Sequence, residues 1–132
     1  MKMHPTIDRL FNEMWDGHNS AVADELFADE FLVEYGDDSV SSIDDFKGLL
    51  DAWFAGIPDI KHDVKDCIEN GNVIVTRWSG NGTHDGEFCE IPATGKPFHY
   101  SGITIFHLDD DGKITKAWVG TDFNGQVAML RE

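Results

Sequence analysis

The sequence predicts a single α+β domain in which N-terminal helices cover a strongly curved antiparallel or mixed sheet. Apolar residues recur at helical spacing through the first third of the chain and with period two after Pro58. Helices therefore precede strands and do not alternate with them, which separates α+β from α/β architecture. The chain has 132 residues, the size of one domain, and residues 1–132 are read as one unit without repeat or linker. A sheet with an apolar face must cover it, and the N-terminal helices are the cover at hand.

The elements follow in order. Ile7, Leu10, Phe11, Met14, Trp15 and His18 make one face of a first helix, which Gly17 weakens near its end. Ser20 caps a shorter helix carrying Val22, Leu26 and Phe27. Residues 31–35 read as a short strand stopped by Gly36-Asp37-Asp38. Ser42-Ile43-Asp44-Asp45 resembles a capping box and opens a third helix, with Phe46, Leu49, Leu50, Trp53 and Phe54 on its face. Gly56 and Pro58 end it.

Ile60, His62, Val64, Asp66 and Ile68 then alternate with more polar residues, a strand with a partly polar inner face. Asn70-Gly71 signals a hairpin with a type I′ turn. The strand returning from Val73 to about His84 contains Gly80 and Gly82, read as a bulge or bend where the sheet curls. An irregular stretch follows through Pro97. Residues 98–108 form the next strand, residues 109–113 turn it, and the last strand runs from Ile114 to about Phe123 before a short tail.

Composition excludes several functions. The apolar fraction is 41% and the charged fraction 27%, so the chain can build a core. Ten basic residues stand among 25 acidic ones, for a net charge of -15. Phosphate backbones and anionic membrane surfaces are therefore poor partners. No apolar run reaches membrane-spanning length, and Met1 to Pro5 lacks the apolar stretch of a signal peptide. The expected location is the cytoplasm. Cys67 and Cys89 show no metal-ligand spacing and are expected to be reduced. There is no Gly-x-Ser-x-Gly elbow or phosphate-binding glycine loop. Asp109-Asp110-Asp111-Gly112 lacks the glutamate of a calcium loop. Neither a metal nor a cofactor is expected.

Three ordered motifs carry a resemblance. They are Trp15-Asp16-Gly17-His18 with residues 25–31, then residues 82–88 with 91–96, and finally residues 111–114 with Trp118 and Asp122. Across nearly the whole chain the sequence resembles the SnoaL-like polyketide cyclases of the NTF2-like superfamily. The resemblance implies a cone-shaped NTF2-like fold, commonly homodimeric through the outer sheet face, with a ligand cavity between helices and sheet. It also implies that an Asp on the last strand acts as acid and base in an intramolecular aldol closure, with a His on the preceding strand beside it. By motif, Asp122 takes the Asp position and His107 falls near the His position.

Physical chemistry frames these candidates. A carboxylate walled by Trp118 and Phe123 would be poorly solvated, which raises its pKa toward the range useful for proton transfer. Two hairpin registers are open. A four-residue loop puts His99 opposite Asp122, with His107, Ile105 and Ile103 on its face. A three-residue loop puts Tyr100 there and turns His107 outward. His84, at a strand end beside a glycine turn, suits the cavity mouth or a turn held by backbone bonds. Trp15, Trp53, Phe54, Trp78 and Trp118 are large walls for a small apolar or aromatic ligand, or simply core; Tyr35 offers a rim hydroxyl. Three functions are compatible with these residues: a cofactor-free cyclase- or isomerase-type enzyme, a non-catalytic binder of small hydrophobic ligands, and a dimerisation unit.

Overall fold

The computed structural model describes all residues, Met1–Glu132. Helix α1 spans Pro5–Arg9 and continues without a break as a π-helical segment, Leu10–Trp15. Pro5 suits a first helical turn because its missing N–H would be unpaired there anyway. His4 Nδ1 accepts the Thr6 N–H and completes the cap. A 3₁₀ turn, Ser20–Val22, leads into a short helix α2, Ala23–Leu26. Strands β1 (Phe27–Tyr35) and β2 (Asp38–Val40) follow, then helix α3 (Ile43–Gly56). Ser42 Oγ accepts the Asp45 N–H at 3.3 Å, the bond that the capping motif predicts. Strands β3 (Lys61–Asn70), β4 (Val73–Thr83), β5 (Pro97–Leu108) and β6 (Ile114–Thr121) complete the sheet, and helix α4 (Phe123–Met129) stands where the sequence predicts a tail.

The six strands lie in the order β2-β1-β6-β5-β4-β3. Most pairs are antiparallel, but β1 runs parallel to β6, so the sheet is mixed. It curls without closing and keeps β2 and β3 as edges. This is the α+β cone that the helix-then-strand order predicts. Its core joins Ile7, Leu10 and Met14 of the first helix to Leu50 of α3, and both to Ile74, Phe98 and Phe106 of the sheet.

Two local readings change. The β3–β4 hairpin closes on Asn70↔Val73, so Gly71 and Asn72 are the central turn residues. Only Gly71 has positive φ, at 60°, the pattern of a type II′ turn and not of type I′. Nor are Gly80 and Gly82 bulges, since β4 pairs with β5 continuously from Val73 to Thr83. The extra residues lie at Lys65 on β3 and Thr115 on β6. Each flips the alternation beyond it.

Candidate active site

A cavity of about 500 Å³ lies between the helices and the concave sheet face, and 22 of its 26 lining residues are hydrophobic. Leu10, Phe11, Met14 and Trp15 close one side, and Leu49, Leu50 and Trp53 of α3 close another. Inward residues of β1, β5 and β6 form the wall, including Val33, Tyr100, Phe106, Ala117 and Val119. Neither Lys nor Arg lines it. Its polar groups are few, as in a site where a small number of side chains orient an apolar ligand.

Two of those groups are joined to each other, and a carboxylate outside the lining backs them. His62 on β3 and Tyr100 on β5 both line the cavity, and the Tyr100 hydroxyl lies 2.6 Å from His62 Nε2. On the far side of the ring, His62 Nδ1 lies 3.2 Å from Asp16 Oδ1, which also accepts the His62 backbone N–H at 2.8 Å. The His62 side chain is 2% exposed and that of Asp16 is 18% exposed. A carboxylate only accepts, so it selects the tautomer with the proton on Nδ1. Nε2 then accepts from the Tyr100 hydroxyl. Tyr100 is buried, and burial pushes its pKa well above 10.0, helped by the negative fields of Asp16 and Asp122.

Local structure explains how residues so far apart meet. The Asp16 N–H bonds to Phe11 O, five residues back, because the helix ends in wide π turns. Such turns insert a residue and rotate the next part of the chain relative to an α-helix. Asp16 thereby faces β3, while Phe11, Met14 and Trp15 remain on the cavity side. His62 holds an inward position ahead of the Lys65 bulge.

The structure distributes the sequence-predicted residues differently. Trp15, Tyr35, Trp53 and Trp78 line the cavity. Phe54 does not; its ring stacks on His18 with centroids 4.9 Å apart. Trp118, His107 and His99 lie on the outer sheet face and are exposed. The loop spans residues 109–113, longer than either expected register, and Leu108 pairs with Ile114. Trp118 pairs with Ile105, where the four-residue loop would set it opposite Ile103, and the pair lies on the outer face. The Thr115 bulge is the cause. Ile114 points inward, and the extra residue sends Ala117, Val119 and Thr121 inward and Trp118 outward. Asp122 stands at the exposed start of α4, where its carboxylate accepts the Ser101 N–H at 2.9 Å, and it does not line the cavity. His84 is fully buried outside the cavity lining. Its Nδ1 accepts the Thr94 N–H and its Nε2 donates to Ile91 O, which pins the loop of residues 84–96.

Sequence reasoning did not select Asp16 or His62, and it met Tyr100 only as the alternative to His99 in the three-residue register. The signals were present: Asp16 lies in the first motif and His62 on the partly polar inner face. No group of three or more His, Cys, Asp or Glu side chains is placed to hold a metal ion.

Comparison with known proteins places the chain. The model of the SnoaL-like polyketide cyclases matches residues 6–130. The chain belongs to this family. The SnoaL-like fold is equally plain in solved structures. A candidate SnoaL-like polyketide cyclase from Jannaschia sp. CCS1 superposes with a TM-score of 0.85 at 23% identity, covering 98% of this chain and 96% of that one. AclR, a candidate hydroxylase from Streptomyces galilaeus, gives 0.84 at 19% identity, covering 95% and 78%. At those identities the likeness bears on the fold alone. IdmH, a candidate polyketide cyclase from Streptomyces antibioticus, gives 0.78 at 25% identity and 96% of each chain. No curated protein matches the chain. Among the helices of this SnoaL-like protein, none is long and apolar enough to cross a membrane.

Proposed function

We propose that this protein is a cofactor-independent acid–base catalyst of the cytoplasm, acting on a small apolar carbonyl compound in a cyclase- or isomerase-type reaction. The observation that carries this reading is the hydrogen-bonded chain Asp16–His62–Tyr100, in which His62 and Tyr100 line an apolar cavity and Asp16 backs His62. A bound carbonyl compound presents its acidic C–H to the Tyr100 oxygen. Tyr100 takes that proton as its own passes to His62 Nε2, and Asp16 balances the imidazolium. Once the carbanion has attacked its electrophile or shifted its double bond, the sequence reverses. His62 returns a proton to Tyr100, and Tyr100 protonates the new alkoxide or carbon. Burial keeps Tyr100 from ionising by itself, so its proton moves only in concert with the imidazole. The apolar walls exclude water and strengthen each interaction within.

The test needs no knowledge of the natural substrate. A hydrophobic 1,3-diketone in D₂O exchanges its central hydrogens, and the wild-type protein should accelerate this exchange, read by NMR. A plain binding protein would bind the probe and leave the exchange rate unchanged, which would overturn the catalytic reading. Asp122→Asn should keep the rate within about threefold, because general acid–base loss would be 10²-fold or more. A larger loss would return Asp122 to the chemistry.

We further propose homodimerisation through the outer sheet face. Ile68, Val75, Ile105 and Trp118 form one cross-strand row there, and Trp118 is 45% exposed. Trp118→Glu should give a folded monomer by native mass measurement; a persistent dimer would exclude this face.

A further inference from the structure

We infer that Gly80 is a positioning residue for the proposed relay, on whose reading this inference rests. His62 pairs with Gly80 across β3–β4, and Gly80 pairs with Tyr100 across β4–β5. The three positions form one row on the inner face. Adjacent strands lie about 4.8 Å apart, so residues two strands apart are separated by nearly 10 Å of backbone. The phenol and imidazole nevertheless meet at 2.6 Å. They do so by leaning over the middle strand, and this requires that the middle residue have no side chain. A Cβ at Gly80 would lie 2.3 Å from Tyr100 Cε1 and 3.2 Å from His62 Cδ2.

Backbone conformation gives no other reason for this glycine. The positive-φ glycines are Gly36, Gly71, Gly95 and Gly112, and Gly80 is not among them. Nor is there slack to absorb a methyl group. β4 is an interior strand, paired on both sides at this point. Asp16 holds His62 from behind by both ring and backbone. Trp53 and Trp78 hem the Tyr100 ring, with centroids 4.8 Å and 4.9 Å away. An added Cβ therefore displaces the phenol from the imidazole.

The experiment is Gly80→Ala in the full chain, read in two independent ways. Nitrogen chemical shifts of His62 report its bond to Tyr100, and diketone exchange reports catalysis. The expected result is a folded protein that loses the His62–Tyr100 signature. Its kcat should fall by about 10²–10⁴-fold with KM little changed, as general acid–base loss predicts. In a Tyr100→Phe background, Gly80→Ala should cost no further activity. Retention of both the signature and kcat in Gly80→Ala would overturn the inference. If Gly80→Ala does not fold, adding Tyr100→Leu should restore folding by removing the ring that clashes. Failure to restore it would mean that Gly80 serves the strand alone, and the inference falls. A wild-type protein without exchange activity would sink the catalytic reading, while the nitrogen signature would still decide the role of Gly80.

Discussion

Tyr100→Phe is expected to lower diketone exchange by about 10²–10⁴-fold while leaving probe binding nearly unchanged. The substitution removes one oxygen. The ring keeps its contacts with Trp53, Trp78 and Phe98, so the cavity wall stays in place. What is lost is the oxygen that the proposed relay uses to carry the proton between substrate and His62. His62→Gln should lose as much, because an amide can hold a hydrogen bond but cannot cycle a proton. The double variant should lose no more than either single one, as expected for groups acting as a unit. Equal rates for Tyr100→Phe and wild type would remove the relay from the chemistry. The same substitution has a signature in stability. An unfolded tyrosine ionises near 10.0, whereas native Tyr100 keeps its proton to well above that. Between those two values the unfolded chain binds fewer protons than the native one, so stability falls as pH rises above 10.0. Tyr100→Phe removes this contribution. Urea midpoints at about pH 8 and about pH 11 should converge in the variant relative to wild type.

Trp53→Ala is expected to destabilise the fold by about 3 kcal/mol. The Trp53 ring packs against Trp15, Phe88, Phe98, Tyr100 and Phe123, and so ties α3 to the first helix, the sheet and the 84–96 loop. Truncation removes all those contacts at once. The loss belongs at the low end of the range for buried aromatics, because Trp53 already faces a cavity on one side and gives up less packing than a fully enclosed ring. Urea denaturation with an unchanged slope would measure it. A loss under about 1 kcal/mol would show that the loop and α3 are held elsewhere.

Much of this protein was legible along the chain. The change from helical to period-two spacing near Pro58 determined the α+β order, because each periodicity can bury only one kind of face. Ser42 and Asp45 determined the start of α3 through a local bond. The tight β3–β4 turn followed from Gly71, although its type depended on which residues the strands left unpaired. The three ordered motifs carried the family.

The site was decided by tertiary structure. Alternation along β6 divides its residues into two faces but does not say where an extra residue enters. The single bulge at Thr115 turned Trp118 outward and left Asp122 on the surface. On the inner side, Asp16, His62 and Tyr100 meet from three distant parts of the chain. A π-turned helix end, the register of two hairpins and a glycine between them bring them together. Local spacing could not reveal that meeting, because hydrogen bonds between distant residues form only after strand pairing has fixed which side chains share a row.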